Sequence, residues 1–296
     1  MKSVTKVMMF DDEGNKFFGE GPASLLKSIE EKGSLRMAAQ EMGMAYTKAL
    51  KIIKNAEESL GFKLTERKIG GKDGGGSTLT DQGRKWLEEY EAFSSECMRS
   101  SRRLFVKHFG NLSCVILASG LGRRFGGNKL MADLNGKPVI SYIIERTEGI
   151  FKDRVVVTRS SQVKEFCEKK GIRCILHDMP GKNDSVRLGI EAVADSEGCM
   201  MCQADQPLLS SDTILDMAVR FTEDKEHIYT LSDKSPAVFP DKFYESLKNL
   251  PYDKGGKVII KENSADVISI TPCNDWETED IDTREDLERI KAYIDG

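Results

Sequence analysis

The run Ser113 to Ala118 is apolar enough to predict a buried strand, and a glycine-rich basic segment follows it without a break. Leu117 to Lys129 reads LASGLGRRFGGNK, with four glycines, two arginines and a lysine in thirteen residues. Glycines let a backbone approach a polyphosphate closely, and free N–H groups can then point at its oxygens. Arg124 and Lys129 add positive charge at the same place. The chain is thus constrained to a fold in which a buried strand delivers a loop suited to a nucleoside triphosphate. Neither of the two commonest phosphate loops fits. A GxxxxGK loop needs Ser or Thr after its lysine, where Leu130 stands, and the glycines here do not keep GxGxxG spacing.

Downstream of about residue 112, strand-like and helix-like segments alternate. Cys114 to Ala118, Arg154 to Thr158, Arg173 to His177 and Cys199 to Gln203 read as strands. Val139 to Arg146, Ser161 to Lys170, Ser185 to Ala194 and Ser211 to Phe221 read as helices between and after them. This order predicts βαβ units on a mostly parallel sheet, a Rossmann-like three-layer domain that binds ligands at the carboxyl ends of its strands.

The first hundred residues differ. Leu25, Leu26 and Ile29 share one face of a predicted helix over 23–31, which Gly33 stops. Ser34 is placed to cap a second helix over 35–42. A third, from about Tyr46 to Leu60, puts Ala49, Ile52, Ile53 and Ala56 on one side. Helix, glycine turn, helix is the helix-turn-helix arrangement. Phe62 to Thr80 then reads as two short strands joined by a glycine-rich tip, a β-hairpin wing. A long helix from Asp81 to about Ser101 carries Trp86, Leu87, Tyr90 and Phe93 on a stripe, able to pack on its own domain or against a second copy. Residues 105–112 break the pattern as a linker, with His108 at the surface. The expected domains are 1–108 and 109–296.

Charge supports two modules: the first 110 residues carry net +3 and the rest −7. Lys48, Lys51, Lys54, Lys63, Arg67, Lys68 and Lys72 face only Glu57, Glu58 and Glu66 over the third helix and wing. Double-stranded DNA suits that surface, with Tyr46, Thr47 and Lys48 at the helix start to reach bases and Lys51, Arg67 and Lys72 to meet phosphates. A solvated face on a protein-interaction domain is the alternative. Seven scattered cysteines without a framework suit reduced thiols, and Cys199-Met-Met-Cys202 lies in an apolar run that reads as packed core. No apolar run is long enough for a membrane span and the N-terminus lacks a signal-peptide core, so a cytoplasmic location without membrane attachment is expected.

Gly33-Ser34, Ala38-Ala39, Met42-Gly43-Met44, Tyr46, Lys48-Ala49, Gly70-Gly71, Gly74-Gly75-Gly76, Leu79-Thr80 and Gly83 together resemble the N-terminal winged helix-turn-helix domain of the ModE family of molybdate-responsive regulators, itself close to the LysR-type DNA-binding domain. Leu50 stands where that family usually has tryptophan, and its molybdate-sensing domains are absent. The resemblance implies DNA binding and does not imply molybdate sensing; the long amphipathic helix from Asp81 makes a homodimer the expected assembly.

The segment from Leu117 to Lys129, continued by Leu134-Asn-Gly-Lys-Pro138, resembles the LAxGxGxRxGxxK and LxGKP signatures of nucleotidyltransferases. Asp205 in Ala204-Asp-Gln-Pro-Leu208 and Asp282 in Asp280-Ile-Asp-Thr-Arg-Glu-Asp-Leu287 match that family's metal aspartates, with Asp280 the alternative to Asp282. Mg2+ is the implied cofactor, since it prefers oxygen ligands and phosphate partners. Asn183 to Gly189 resembles the SxSLxxG segment, so Ser185 approaches the nucleotide or simply caps a helix. Asp205 could likewise cap the helix after it, although Ser210 and Ser211 already serve. Lys234 to Pro240 and Asp253 to Lys257 resemble the acceptor segments of the molybdenum cofactor branch, the MobA-like guanylyltransferases and MocA-like cytidylyltransferases.

The resemblance implies Arg124, Lys129 and Asp205 as catalytic residues. Leu117, Ala118, Ser119, Gly120, Gly122 and Ser185 would join Arg124 and Lys129 at the nucleotide. Ser119 keeps a side chain where guanylyltransferases carry glycine, and Asn128 replaces an aspartate before Lys129, which favours CTP over GTP. The expected reaction is CMP transfer from CTP to molybdopterin with release of pyrophosphate. The alternative functions are GTP use, or a transcription regulator whose transferase-like domain senses nucleotide or molybdopterin.

Overall fold

The computed structural model describes residues 1–68, 76–120, 122–232 and 234–295. The chain divides into two units, Ser3–Ser101 and Arg102–Gly296.

In the first unit a short hairpin, β1 (Met8–Phe10) and β2 (Lys16–Gly19), precedes α1 (Glu20–Lys32), α2 (Leu35–Glu41) and α3 (Tyr46–Leu60). The wing strands β3 (Thr65–Lys68) and β4 (Gly76–Leu79) pair antiparallel, and α4 (Asp81–Phe105) follows. Leu25, Leu26 and Ile29 of α1 pack with Ala49, Ile53 and Ala56 of α3 in one core, while Ile52 is only partly buried beside them. Ser34 sits at the start of α2 without a side-chain capping bond, so it supplies an extended backbone there rather than a hydroxyl cap. Leu87 and Tyr90 enter the core from α4, but Phe93, one turn further on, is exposed. At Gly83 an added Cβ would fall 2.2 Å from the Leu64 carbonyl oxygen, so only glycine lets the start of α4 lie against the wing.

The expected linker is more helical than its polar residues suggest. Helix α4 continues to Phe105 and passes into a π-helical turn over Val106–Gly110, closed by Asn111 at φ 44°. Val106 and Gly110 are buried, and His108 is exposed as expected.

The second unit is built on a seven-stranded sheet. In chain order it contains β5 (Leu112–Ala118), a small hairpin β6 (Asp133–Leu134) and β7 (Lys137–Pro138), α5 (Val139–Arg146), β8 (Arg154–Thr158), α6 (Ser161–Lys169), β9 (Arg173–Leu176), α7 (Lys182–Ala192), β10 (Gly198–Gln203) and α8 (Ser211–Glu223). Next come β11 (Ile228–Leu231), β12 (Lys234–Pro240), α9 (Tyr244–Lys248), α10 (Lys257–Glu262), β13 (Val267–Ile270) and α11 (Arg284–Asp295). The strand order is β13-β11-β12-β10-β5-β8-β9, with β12 antiparallel to both neighbours and the other pairs parallel.

Period-2 alternation along β5 separates the two faces. Cys114 and Ile116 pack with Ile140 of α5, Ile214 of α8 and Ile290 of α11, whereas Val115 packs with Val186 and Ile190 of α7 and Leu247 of α9. Helices therefore cover both sides, as a largely parallel sheet requires. Cys199 and Cys202 are fully buried in β10; burial drives the Cys199 thiol well above its usual range, and the contact with Cys114, then burial, does the same to Cys202, as packed core predicts. From β5 the chain winds to β8 and β9 on one side, then returns to β10 on the other. The carboxyl ends of β5 and β10 thus flank a topological switch point, where such folds open a crevice.

Candidate active site

The loop after β5 is shaped by glycine and anchored by one aromatic ring. Gly122 has φ 56°, and a Cβ there would lie 2.3 Å from the Gly127 carbonyl oxygen. The N–H groups of Phe125 and Gly126 both donate to the Gly122 carbonyl, at 3.0 and 3.1 Å. Phe125 is 5% exposed and ties the loop to the core below. The chain then turns through Lys129–Met131, which directs Lys129 back across the crevice.

Lys129 meets two carboxylates there. Its Nζ donates to Asp205 Oδ2 at 2.6 Å and to Asp282 Oδ1 at 3.0 Å, and Arg124 donates to Asp282 Oδ2 at 2.7 Å. The Lys129 side chain is only 9% exposed. Burial works against its charge, but Asp205 and Asp282 hold its pKa above the ordinary lysine value. Burial pushes the Asp205 carboxyl up; Lys129 opposes this and the nearby Asp280 carboxylate adds to it.

Asp205 lies just past β10, and its carbonyl accepts from the N–H of Ile281 at 3.0 Å, which stitches the strand end to the Asp280–Asp282 segment. Carboxylate oxygens of Asp205, Asp280 and Asp282 come within 4.8 Å of one another. The sequence offered Asp280 and Asp282 as alternatives, and the fold brings both to Asp205. Asp205 does not cap α8, because Ser210 accepts from Thr213 N at 3.1 Å. Thr283 and Asp286 do form the reciprocal cap of α11: Asp286 accepts from Thr283 N at 2.9 Å, and Thr283 Oγ1 accepts from Asp286 N at 3.2 Å.

These groups border a cavity of about 1080 Å³. Leu117, Ser119, Gly120, Gly122 and Ser185 also line it. Ala118 does not join them, since it is buried and its carbonyl accepts from Thr158 Oγ1 at 3.0 Å. Ser185 is not a helix cap. Helix α7 begins three residues earlier, and Asp184 accepts from the N–H of Gly181 at 3.1 Å, leaving Ser185 within the helix at 4% exposure.

Two residues that the sequence did not mark as part of the site matter here. Arg159 follows β8 directly and donates from Nε and Nη2 to the Ser119 carbonyl, at 2.9 and 2.5 Å. His177 follows β9 directly and places Nε2 3.0 Å from Ser119 Oγ and 3.1 Å from Ser185 Oγ. Their position one residue past a parallel strand was the signal that could have found them. Gln206 also lines the cavity; it is 5% exposed, and its Oε1 has no partner among the described residues.

In the N-terminal unit, Tyr46, Thr47, Lys48, Lys51 and Lys54 are exposed along α3, and Arg67 is exposed on the wing. Lys72 lies outside the described residues. Glu57 does not belong to that surface: it is 7% exposed and accepts from Leu64 N, Thr65 N and Lys63 Nζ, so it organises the turn into the wing.

The profile of the "MobA-like NTP transferase domain" matches residues 114–267, and that of the "Bacterial regulatory helix-turn-helix protein, lysR family" matches residues 24–84. A "Probable molybdenum cofactor guanylyltransferase" from Thermococcus kodakarensis is 31% identical over 194 residues, which is 60% of this chain and 92% of that protein. A protein of the same name from Aquifex aeolicus is 25% identical, over 64% of this chain and 97% of its own length. Among solved structures, a nucleotidyl transferase from Methanothermobacter superposes with TM-score 0.52 and 20% identity, covering 62% of this chain and 96% of that one. The phosphate loop, the aspartates across the crevice and the matched span, just over half of the sequence, place this chain in the MobA-like NTP transferase family, as a nucleotidyltransferase preceded by a LysR-family helix-turn-helix domain.

Proposed function

We propose that the enzyme transfers CMP from CTP to molybdopterin in a Mg2+-dependent reaction, and that its N-terminal domain binds double-stranded DNA in a regulatory role. The observation that carries the reading is the meeting of Lys129 and Arg124 with Asp205 and Asp282 at the switch point of the sheet. Cations for phosphate and carboxylates for a metal stand side by side there.

The donor set suits Mg2+, being three carboxylates without a sulfur or imidazole ligand. Asp205 and Asp282 would hold the ion, with Asp280 in reach, and once bound it would orient and neutralise the triphosphate. A phosphate oxygen of molybdopterin attacks the α-phosphorus. The new O–P bond forms as the bond to the β-phosphate oxygen breaks, and pyrophosphate leaves. Lys129 remains charged and can exchange its carboxylate contacts for phosphate oxygens. Arg124, exposed on the loop, can exchange its Asp282 contact for the leaving pyrophosphate. No general base is needed for a phosphate nucleophile.

The Ser119 side chain occupies the cavity wall where a glycine would leave more room, and this supports the smaller pyrimidine. A second reading, GTP as donor, is favoured by the names of the relatives at 31% and 25% identity. Pyrophosphate release measured with Mg2+, molybdopterin and each of the four NTPs separates the two. Release with CTP supports the proposal, and release with GTP alone replaces it.

A further inference from the structure

We propose that His177 is a positioning residue for the nucleotide base: its Nε2–H fixes the hydroxyls of Ser119 and Ser185 as acceptors and leaves the Ser185 proton for an acceptor atom on the base. This rests on the nucleotide-binding part of the reading above.

The backbone N–H of His177 donates to the Thr158 carbonyl at 3.0 Å, carrying the β8–β9 ladder one residue past β9 and fixing where the ring starts. Ser119 Oγ donates to the Val157 carbonyl at 3.1 Å, which commits its one proton. Towards His177, 3.0 Å away, that oxygen can only accept, so Nε2 carries the hydrogen. Nδ1 gives the same tautomer independently. It is buried without a partner among the described residues, and a bare lone pair there costs less than an unpaired buried N–H.

Nε2–H then lies between two hydroxyl oxygens, at 3.0 and 3.1 Å. Ser185 accepts from it and keeps its own proton to donate. Because Ser185 lines the cavity, that proton is available to a ligand, and a pyrimidine carbonyl or ring nitrogen is an acceptor of the required kind. Arg159 holds the other end of Ser119 by its carbonyl and also donates from Nη1 to the Pro180 carbonyl at 3.1 Å. Ser119 is therefore fixed at both its hydroxyl and its backbone. His177 itself does not line the cavity but stands behind the two serines that do. The charged groups around its ring are Arg159, Arg187, Asp178 and Asp184; burial first, and then Arg159, favour the neutral form.

The test compares His177→Leu, His177→Gln and Ser185→Ala in the full chain, by equilibrium binding of CTP and GTP and by steady-state pyrophosphate release. The Gln amide can replace Nε2–H as donor, and Leu cannot. Loss of one placed hydrogen bond predicts that His177→Leu raises Kd and KM for the preferred nucleotide about tenfold, with kcat changed less than about threefold. The preference between CTP and GTP should narrow. His177→Gln should recover most of the affinity, and Ser185→Ala should add little to His177→Leu. An unchanged Kd in His177→Leu, or a Gln variant as impaired as the Leu variant, overturns the proposal, as does a wild type that binds neither nucleotide. A wild type that binds nucleotide without releasing pyrophosphate overturns the transfer reading alone, because the Kd comparison still decides the role of His177.

Discussion

The Lys129 ammonium and the Asp205 carboxylate meet at 2.6 Å, one from the loop after β5 and the other from the end of β10. Each favours the charged form of the other, with the Lys129 side chain 9% and the Asp205 side chain 19% exposed. Removing one partner strands the other, which typically costs about 3–5 kcal/mol for a buried pair. Lys129→Ala should therefore lower the melting temperature as well as turnover. Loss of an electrostatic contact to the transferred phosphates predicts a fall in kcat of at least about a hundredfold. Calorimetry with pyrophosphate assays checks both, and a variant with wild-type turnover contradicts the assigned role.

Gly122 and Gly127 make a matched pair of tests. At Gly122 a methyl group meets the Gly127 carbonyl at 2.3 Å and the backbone is left-handed, whereas at Gly127 it meets open space. Gly122→Ala should cost about 1–3 kcal/mol in strain or distort the loop enough to weaken nucleotide binding. Gly127→Ala should do much less. Urea titrations and nucleotide Kd values on the two variants make the comparison, and equal effects would argue against a shaped loop.

Asp286 holds the first turn of α11, accepting from Asp282 N, Thr283 N and Thr283 Oγ1 at 3.1, 2.9 and 2.9 Å. Burial raises its pKa, but those donors outweigh it and hold the carboxyl below the usual value. A lowered carboxyl pKa contributes stability above the unfolded value of about 3.9, and that contribution is lost as pH falls through the folded pKa. Asp286→Ala should cost about 0.5–2 kcal/mol near neutral pH, as lost caps do, with the difference from wild type shrinking in acid. Because Asp282 sits at the same turn, kcat should fall too. Melting curves from pH 7 to pH 3 test the first point.

Burial and Arg159 both lower the His177 pKa, so the ring should stay neutral through and above the usual histidine range near 6.5. Protonation would place a second N–H at the buried Nδ1, which has no acceptor among the described residues. Nucleotide affinity should accordingly weaken only as pH falls below the usual histidine value of about 6.5. His177→Gln should lose that acid limb, and binding isotherms across the range show whether it does.

In the N-terminal unit, Lys51 and Arg67 are exposed, and the proposed DNA binding assigns them to phosphates. Replacing either by alanine should weaken binding to all sequences alike and reduce the slope of log K against log salt by about one. Glu57→Gln should act differently, loosening the turn at Leu64 and Thr65 and lowering the stability of this unit. Gel shifts at several salt concentrations, with melting curves, distinguish the two.

Much of this was legible in the sequence because local rules set it. The run from Cys114 to Ala118 and the alternation after it define the sheet, and the loop glycines mark the candidate phosphate loop. Lys129, Asp205 and Asp282 were placed by resemblance, and the fold brings their charges together. Less legible were contacts that depend on register between distant strands. Arg159 reaches back to Ser119, and His177 reaches both Ser119 and Ser185, only because β8 lies between β5 and β9. Glu57 looked like one more surface charge, since nothing local marks a glutamate that donors from Lys63, Leu64 and Thr65 will surround. The segment 105–112 looked like a linker because its polar residues hide a buried Val106 and Gly110.

The central claim is tested most directly by following the label of α-phosphate-labelled CTP, with Mg2+ and molybdopterin, in the wild type and in Asp205→Asn. The account predicts that the wild type moves the label into a product with the combined mass of molybdopterin and CMP less water, with one pyrophosphate released per product, and that Asp205→Asn forms none. Label retained in CTP by the wild type, with every nucleotide likewise unreactive, would contradict it.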